Sequence, residues 1–578
     1  VQRRIPWLAP LIVVAIGVLV LALGIAQRTV WQPPSEVTAQ LDTTTLSQSA
    51  PLTVIDSKAL TQRSGPVQIK VEGSGQLLLA QGRADDVADW VGKTPHLEVE
   101  SAKDDFSALN ANFVDGQEAG ANPAGSDLWV NEQSGNGQLS YDWQSPGDGD
   151  WSLLLASDGK AAGPQKVSIT VSNDTSTPWA VPTMVLGGVL ILLGALLWFF
   201  LNRFGKSGKN GKSGKRAAGA AGAAAILALA LTALGQGHAP QAVADESSSP
   251  SSSSTASSSS TASSTSSSSS SASSIESSTA TAPESASTFP VLNDEQFSRV
   301  LGVVVKTVAS GDAAKNAKLL TPRVDGTALK ERTANYKIRA AAPDYQAFEA
   351  VAESALKGKI ISSGRDWPRT VIAITQGSAN KVPQFLTLVQ QSPRDNYKLT
   401  ATARMLPGQS LRPAEGPSAP LGLDSKDNQG DSANGAMSAF ADLISSPTGK
   451  SKSKFASSTF TTANQQFQSE LASSNKDAAT FTFKSSVLPD SVVAFRTADG
   501  GTVVFGNTEL KIDATAKSGA TLNLVDNGTK ALAGGDSTQK GYSLSITDQV
   551  VLYIPAGSTA QPMTVLAAER GLVAASLK

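Results

Sequence analysis

The chain of 578 residues contains no cysteine and only two histidines, His96 and His238. Without thiols there is no disulfide, no thiolate metal site and no cysteine nucleophile. Two imidazoles exclude zinc centres built on several histidines, and a Ser-His-Asp triad has only His96 to draw on. His96 stands in Lys93-Thr94-Pro95-His96-Leu97 and reads as a loop or strand-edge residue. A charge excess is also lacking, since 48 Lys+Arg face 49 Asp+Glu for a net charge of −1. That balance argues against nucleic acid, which usually meets a basic face. Lys206 to Ser213 has the look of a phosphate loop, but Lys206 takes the place of the first glycine and an apolar run precedes it where a strand is required. No catalytic, cofactor-binding or metal-binding residue emerges, and the expectation is a non-enzymatic protein without a cofactor.

What the chain does have is long uncharged runs. The stretch 179–201 includes Leu190-Ile191-Leu192-Leu193 and Leu196-Leu197-Trp198-Phe199-Phe200-Leu201, with Trp179 and Trp198 near its ends. At about 1.5 Å per residue it covers about 34 Å, enough for a hydrocarbon core of roughly 30 Å. A first run, within 1–28, follows Arg3 and Arg4 and reads as an anchor with its amino end inside. After 179–201 come Arg203, Lys206, Lys209, Lys212, Lys215 and Arg216 with no acidic residue among them. Each costs roughly 2.5–3.5 kcal/mol at the bilayer centre, so 202–216 reads as a basic cytoplasmic loop. The weaker run 217–235 has two readings. It is a third membrane helix, or it is an internal signal with cleavage after Ala244 in Ala242-Val243-Ala244. The lipid bilayer is thus the first expected partner, and the protein is expected in the cell membrane, multi-pass, with both large domains extracytoplasmic.

The segment 29–178 shows β patterning. Val67, Ile69 and Val71 alternate with polar residues, and 76–81, 97–100, 128–131, 137–143, 151–156 and 166–172 read as further strands. Gly73-Ser74-Gly75 reads as a turn, and 84–91 as the one helix. About seven short strands predict an all-β sandwich lying between the membrane helices. Trp90, Trp129, Trp143 and Trp151 fit its core, with a ligand-facing, sugar-stacking platform as the alternative. Asp148 and Asp150 flank a turn without the spacing of a calcium loop.

The run Leu77 to Trp90, with Gly82-Arg83-Ala84-Asp85-Asp86 at its centre, resembles a recurrent segment of uncharacterised actinobacterial multi-pass membrane proteins. Gly149-Asp150-Trp151-Ser152-Leu153-Leu154-Leu155-Ala156-Ser157-Asp158-Gly159 resembles their second hallmark, with Ala156-Ser157-Asp158-Gly159 in place of their usual Asn-Ala-Asp-Gly. The resemblance covers about a quarter of the chain and implies an exported β domain on membrane anchors. It implies no activity.

Residues 245–288 are almost wholly Ser, Thr and Ala, too poor in large apolar groups to offset the entropy of ordering, and read as a disordered stalk. Beyond them, 289–410 and 436–578 look like two α+β units joined by a linker at 411–435. In the first, Phe297, Val300, Leu301, Val304 and Val308 keep helical spacing behind an Asn293/Gln296 cap, and strands follow at 370–375, 384–390 and 397–406. In the second, Met437, Phe440, Leu443 and Ile444 mark a helix, with strands at 480–484, 491–496, 501–505, 550–554 and 564–568. A helix on an antiparallel sheet, twice over, resembles the cystatin or NTF2-like fold. The leading expectation is a cell-envelope protein presenting binding domains to a cell-wall glycan or another envelope protein. The second is an assembly or regulatory subunit of a cell-wall or secretion complex. The third is a carboxylate enzyme, with Asp344, Tyr345 and Glu349 as candidates that also suit a solvated helix face.

Overall fold

The structure is a computed structural model, which describes residues 8–46, 48–147, 149–204, 290–426, 430–557 and 561–578. The chain divides into two compact units, Val1–Val37 with Ser172–Ala282 and Thr38–Val171 with Pro283–Lys578. Lys206, Lys209, Lys212, Lys215, Arg216, the run 217–235, His238, Ala242, Ala244 and the tract 245–288 lie outside the described residues, as do Arg3, Arg4 and Asp148.

Helix α1 (Leu8–Thr29) begins the chain. It is followed by strands β1 (Glu36–Asp42) and β2 (Leu52–Ile55), helix α2 (Ser57–Thr61), β3 (Val67–Arg83), α3 (Ala84–Val91), β4 (His96–Ala102), β5 (Leu109–Val114), β6 (Asn131–Trp143), β7 (Trp151–Ala156), β8 (Lys166–Ser172) and α4 (Ala180–Phe204). In the first unit α1 and α4 are long and apolar enough to cross a membrane. They pack along a seam of small residues: Gly17 lies against Ile191, Gly24 against Met184, Gly187 against Leu21 and Gly194 against Val14. Backbones approach closely where side chains are absent, the usual basis of helix pairing in an apolar solvent. The opposite faces expose Leu11, Ile12, Leu19, Leu192, Leu196 and Phe200.

In the second unit, ladders join all eight β-domain strands in one sheet, β1-β8-β3-β7-β2-β4-β5, with β6 on the other edge of β3. The eight strands of the expected sandwich are joined in one continuous ladder, because β3 is long enough to pair β8 with its first half and β7 with its second. Gly73 to Gly75 make a bulge within β3 where a turn was expected, with Gly75 at φ +78. Residues 128–130 are turn and irregular chain, and the strand starts at Asn131.

The remaining chain carries α5 (Asp294–Ala314), α6 (Gly326–Ala341), β9 (Leu356–Ile361), β10 (Arg369–Thr375), β11 (Gln384–Gln390), β12 (Lys398–Met405), α7 (Ala433–Ser445), α8 (Thr459–Ser474), β13 (Ala479–Val487), β14 (Val493–Arg496), β15 (Thr502–Ala516), β16 (Leu522–Asn523), α9 (Asn527–Ala533), β17 (Ser537–Thr538), β18 (Gly541–Ile554) and β19 (Thr564–Leu577). The two halves are not separate sheets. They form one nine-stranded antiparallel sheet, β13-β15-β18-β19-β12-β11-β10-β9 with β14 on β15, joined at Arg404↔Ala568 and Met405↔Ala567.

Side-chain alternation gives this sheet two apolar faces. Val371, Ala373, Leu386 and Leu388 face α5 and α6, while Val504, Val550 and Leu552 face α7. The other face carries Ile372, Ile374, Phe385, Val503, Phe505 and Val551 in one shared cluster. β11 and β15 stand four places apart in the strand order, about 19 Å on a flat sheet at ~4.8 Å per strand. Their Phe385 and Phe505 rings are 5.9 Å apart. The sheet therefore rolls so that its halves meet over this cluster.

Candidate functional site: a cavity inside the rolled sheet

Where the roll is not filled by apolar side chains, a cavity of about 550 Å³ remains, lined from β10, β11, β12, β15 and β18. Phe385, Phe505 and Val551 supply apolar wall, and Thr370, Thr387 and Asn507 supply polar groups. These sit on the inner face because each is two residues along the strand from a cluster residue: Thr370 from Ile372, Thr387 from Phe385, Asn507 from Phe505. Thr370 and Asn507 are 6% exposed and Thr387 is 9% exposed. None of their side chains has a hydrogen-bond partner among the described residues. Ser491 pins the neighbouring loop, donating to the Leu488 carbonyl at 2.8 Å and accepting from the Asn507 N–H at 3.1 Å. The rim is charged but balanced, with Asp325, Asp395 and Asp490 beside Lys330 and Lys398. Lys398 is 3.6 Å from Asp325.

One wall is a joint. Below residues 404 and 405, β12 and β19 no longer pair, and α6 packs against both. Gln549 bridges β18 and β12, its Oε1 accepting from the Thr402 N–H at 2.7 Å. Its Nε2 donates to Glu331 of α6 at 2.6 Å, and the Thr547 hydroxyl donates to the same carboxyl at 2.6 Å. Burial pushes the Glu331 carboxyl well above the usual range; these two hydrogen bonds pull it back, while nearby Glu569 and Asp548 raise it further. Asp548 and Glu569 are also raised by burial, each opposed by a bound guanidinium, Arg570 and Arg404 respectively. The acids near the joint are held by internal partners.

The β domain and the rolled sheet meet through buried ionic contacts. Asp127 takes both ends of the Arg323 guanidinium, at 2.5 and 3.1 Å, and also accepts from the Tyr397 N–H at 2.8 Å. Asp86 lies 2.7 Å from Arg369; burial raises its carboxyl and the guanidinium lowers it. Arg394 donates to the Trp90 and Val91 carbonyls and to Thr94, at 2.8, 2.8 and 2.7 Å. Gln296, which closes the capping box of α5 with Asn293, donates to the Leu128 carbonyl at 2.9 Å.

The tryptophans form no exposed platform. Trp90 and Trp129 are each 1% exposed, their rings 5.7 Å apart in the β-domain core, and the Trp129 indole donates to the Pro123 carbonyl. Trp151 is buried and Trp143 is half-buried on β6 opposite Val67. His96 opens β4 with Nδ1 2.9 Å from the Thr94 carbonyl. Asp344, Tyr345 and Glu349 are not on a helix; they lie in irregular chain after α6, where Glu349 accepts from Gln384 and faces Arg404. Of the basic cluster only Arg203 is described, exposed in the last turn of α4 with its guanidinium over the Phe199 ring. The cavity residues escaped the sequence reading, although Thr387 and Asn507, polar residues on the apolar face of a strand, were the available signal.

Neither a curated protein nor a solved structure matches the chain. Residues 288–577, half of the chain, match the family model described as a domain of unknown function, DUF8094, and the chain belongs to that family.

Proposed function

We propose that this is a non-enzymatic, membrane-anchored cell-envelope protein whose β domain and family domain form a single extracytoplasmic binding body. The observation that carries the reading is the buried Asp127–Arg323 pair, with Asp86–Arg369 beside it. These join a domain encoded between two membrane-competent helices to one encoded after the second, so both belong on one side of the bilayer. A chain that leaves by α4 must then pass back before Pro290, and 217–235 is the uncharged run able to do so. The basic residues Arg203, Lys206, Lys209, Lys212, Lys215 and Arg216 assign the side between those passages to the cytoplasm by the positive-inside rule. In each half of the family domain, helices over one face of an antiparallel sheet support the cystatin- or NTF2-like description. The non-enzymatic reading draws support from Asp86, Asp127, Glu331, Asp548 and Glu569, each committed to an internal partner. A cell-wall glycan or another envelope protein is the partner proposed, and a subunit role in a cell-wall or secretion complex is the runner-up.

The absence of cysteine makes the test direct. Single cysteines replacing Ser134, Ser207 and Ser518 are treated on intact cells with a membrane-impermeant maleimide. Labelling at 134 and 518, with 207 reached only after permeabilisation, is expected. Protection at 518 alongside labelling at 134 would overturn the shared-side topology.

A further inference from the structure

We propose that the cavity of the rolled sheet is a binding site for a short, uncharged sugar carrying hydroxyl and acetamido groups. The inference deepens the reading above but rests on different atoms. Buried polar side chains are normally hydrogen-bonded, and one left alone costs free energy unless something fills the place. Here Thr370, Thr387 and Asn507 are each more than nine-tenths buried, have no side-chain hydrogen-bond partner among the described residues, and line the same cavity, the threonines from β10 and β11 and the asparagine from β15 across the roll. A cavity of about 550 Å³ is within the usual range for small-molecule sites, and its mixed lining suits orientation by a few polar groups over apolar wall.

The chemistry of the wall selects the ligand. Threonine hydroxyls and an asparagine amide both donate and accept, so they match groups that do the same, such as hydroxyl and acetamido. The deep wall bears no charge, and the charges at the rim include three carboxylates against two ammonium groups, so a phosphate or carboxylate ligand gains little. An extended peptide would need a free strand edge. Of the strands lining the interior, β10, β11, β15 and β18 are paired on both sides, and on the edge of β12 that β19 leaves, the Thr402 N–H is taken by Gln549 and Leu399 by the backbone of Arg323 and Asp325. Only side chains are left to read the ligand, which favours a compact one rich in hydroxyls.

The full chain, held in a zwitterionic detergent because glucoside and maltoside headgroups would compete, is titrated with N,N′-diacetylchitobiose and N,N′,N″-triacetylchitotriose by calorimetry and saturation-transfer NMR. Saturable binding is expected for the wild type. Thr387→Val and Asn507→Leu are expected to weaken it at least tenfold while the ligand-free melting temperature holds, since neither side chain makes a hydrogen bond to a described residue. Ser134→Cys, far from the lining, is the folded control and keeps wild-type affinity. Absence of binding by a wild type whose unfolding is cooperative overturns the proposal. Binding that Thr387→Val and Asn507→Leu leave unchanged overturns it too, as does binding of tetra-alanine amide in place of either sugar. The maleimide topology test is independent, so either reading can fail without the other.

Discussion

Gly571 lies directly beneath the carboxyl group of Glu331: a Cβ at position 571 would stand 2.6 Å from both Glu331 Cγ and Cδ. The missing side chain on β19 is what lets the carboxyl of α6 reach Thr547 and Gln549 on β18. Gly571→Ala is therefore expected to destabilise the fold by about 1–3 kcal/mol, the usual cost of overpacking. Adding Glu331→Ala should recover part of that loss, because the clash disappears with the carboxyl. Thermal unfolding of the single and double variants measures the coupling; strictly additive losses would show that the two positions do not interact.

The same carboxyl imposes a pH dependence. Its folded pKa is raised, chiefly by burial. Below the unfolded value of about 4.3 it is protonated in both states and the site carries no ionisation penalty. As pH rises through that value, the unfolded chain loses its proton first and the native state keeps its own, so this group's contribution falls, by up to about 1.4 kcal/mol per pH unit, until the folded pKa is passed. Glu331→Gln mimics the neutral form. It should be more stable than the wild type at pH 8, with the difference shrinking toward pH 4. Denaturant unfolding at several pH values decides it, and parallel stability curves would count against a raised carboxyl.

Some of this architecture was legible in the residues and some was not, and the division has physical causes. The Asn293/Gln296 cap and the spacing of Phe297, Val300, Leu301 and Val304 identified α5, because that helix buries an ordinary apolar stripe. Helix α6 was missed because its buried face is largely polar, with Glu331, Arg332 and Asn335 turned inward onto partners elsewhere in the chain. Strands β7, β8 and β11 stood out through their apolar content, whereas the turn at Leu128 and Trp129 reads as strand until its burial against α5 is known. The meeting of Phe385 and Phe505 depends on the roll of the whole sheet, a long-range property that no local period encodes. The cavity inherits that invisibility, since its wall is assembled from residues more than a hundred positions apart.

The docking of the two domains changes what a cut between them should do. A protease site inserted between Ser270 and Ser271 would sever the chain covalently, yet Asp127–Arg323, Asp86–Arg369 and the Arg394 contacts should keep the parts together. Co-elution after cleavage is expected for the wild type. Asp127→Ala strands the Arg323 guanidinium in a buried site, at a cost of roughly 3–5 kcal/mol. Combined with Asp86→Ala it should let the cut parts separate on gel filtration. Wild-type parts that fall apart on cutting would mean that the buried pairs do not hold the domains.

The helix pair of the first unit offers a comparison between adjacent residues of the same type. Gly187 faces α1, where a Cβ would lie 2.4 Å from the Leu21 backbone nitrogen, whereas a Cβ on Gly188 would meet nothing within 4 Å. Leucine at either position changes hydropathy and helix propensity alike, so only packing separates the two. In an apolar solvent packing is the main term that holds such helices together, because the surrounding chains are as apolar as the side chains. Gly187→Leu should force the backbones apart at the seam that also includes Gly17, Gly24 and Gly194, at about 1–3 kcal/mol. Gly188→Leu should leave the pair unchanged. Loss of helical circular dichroism on heating in a fixed micelle reads the difference, and equal melting of the two variants would show that the small-residue seam contributes nothing to the pairing.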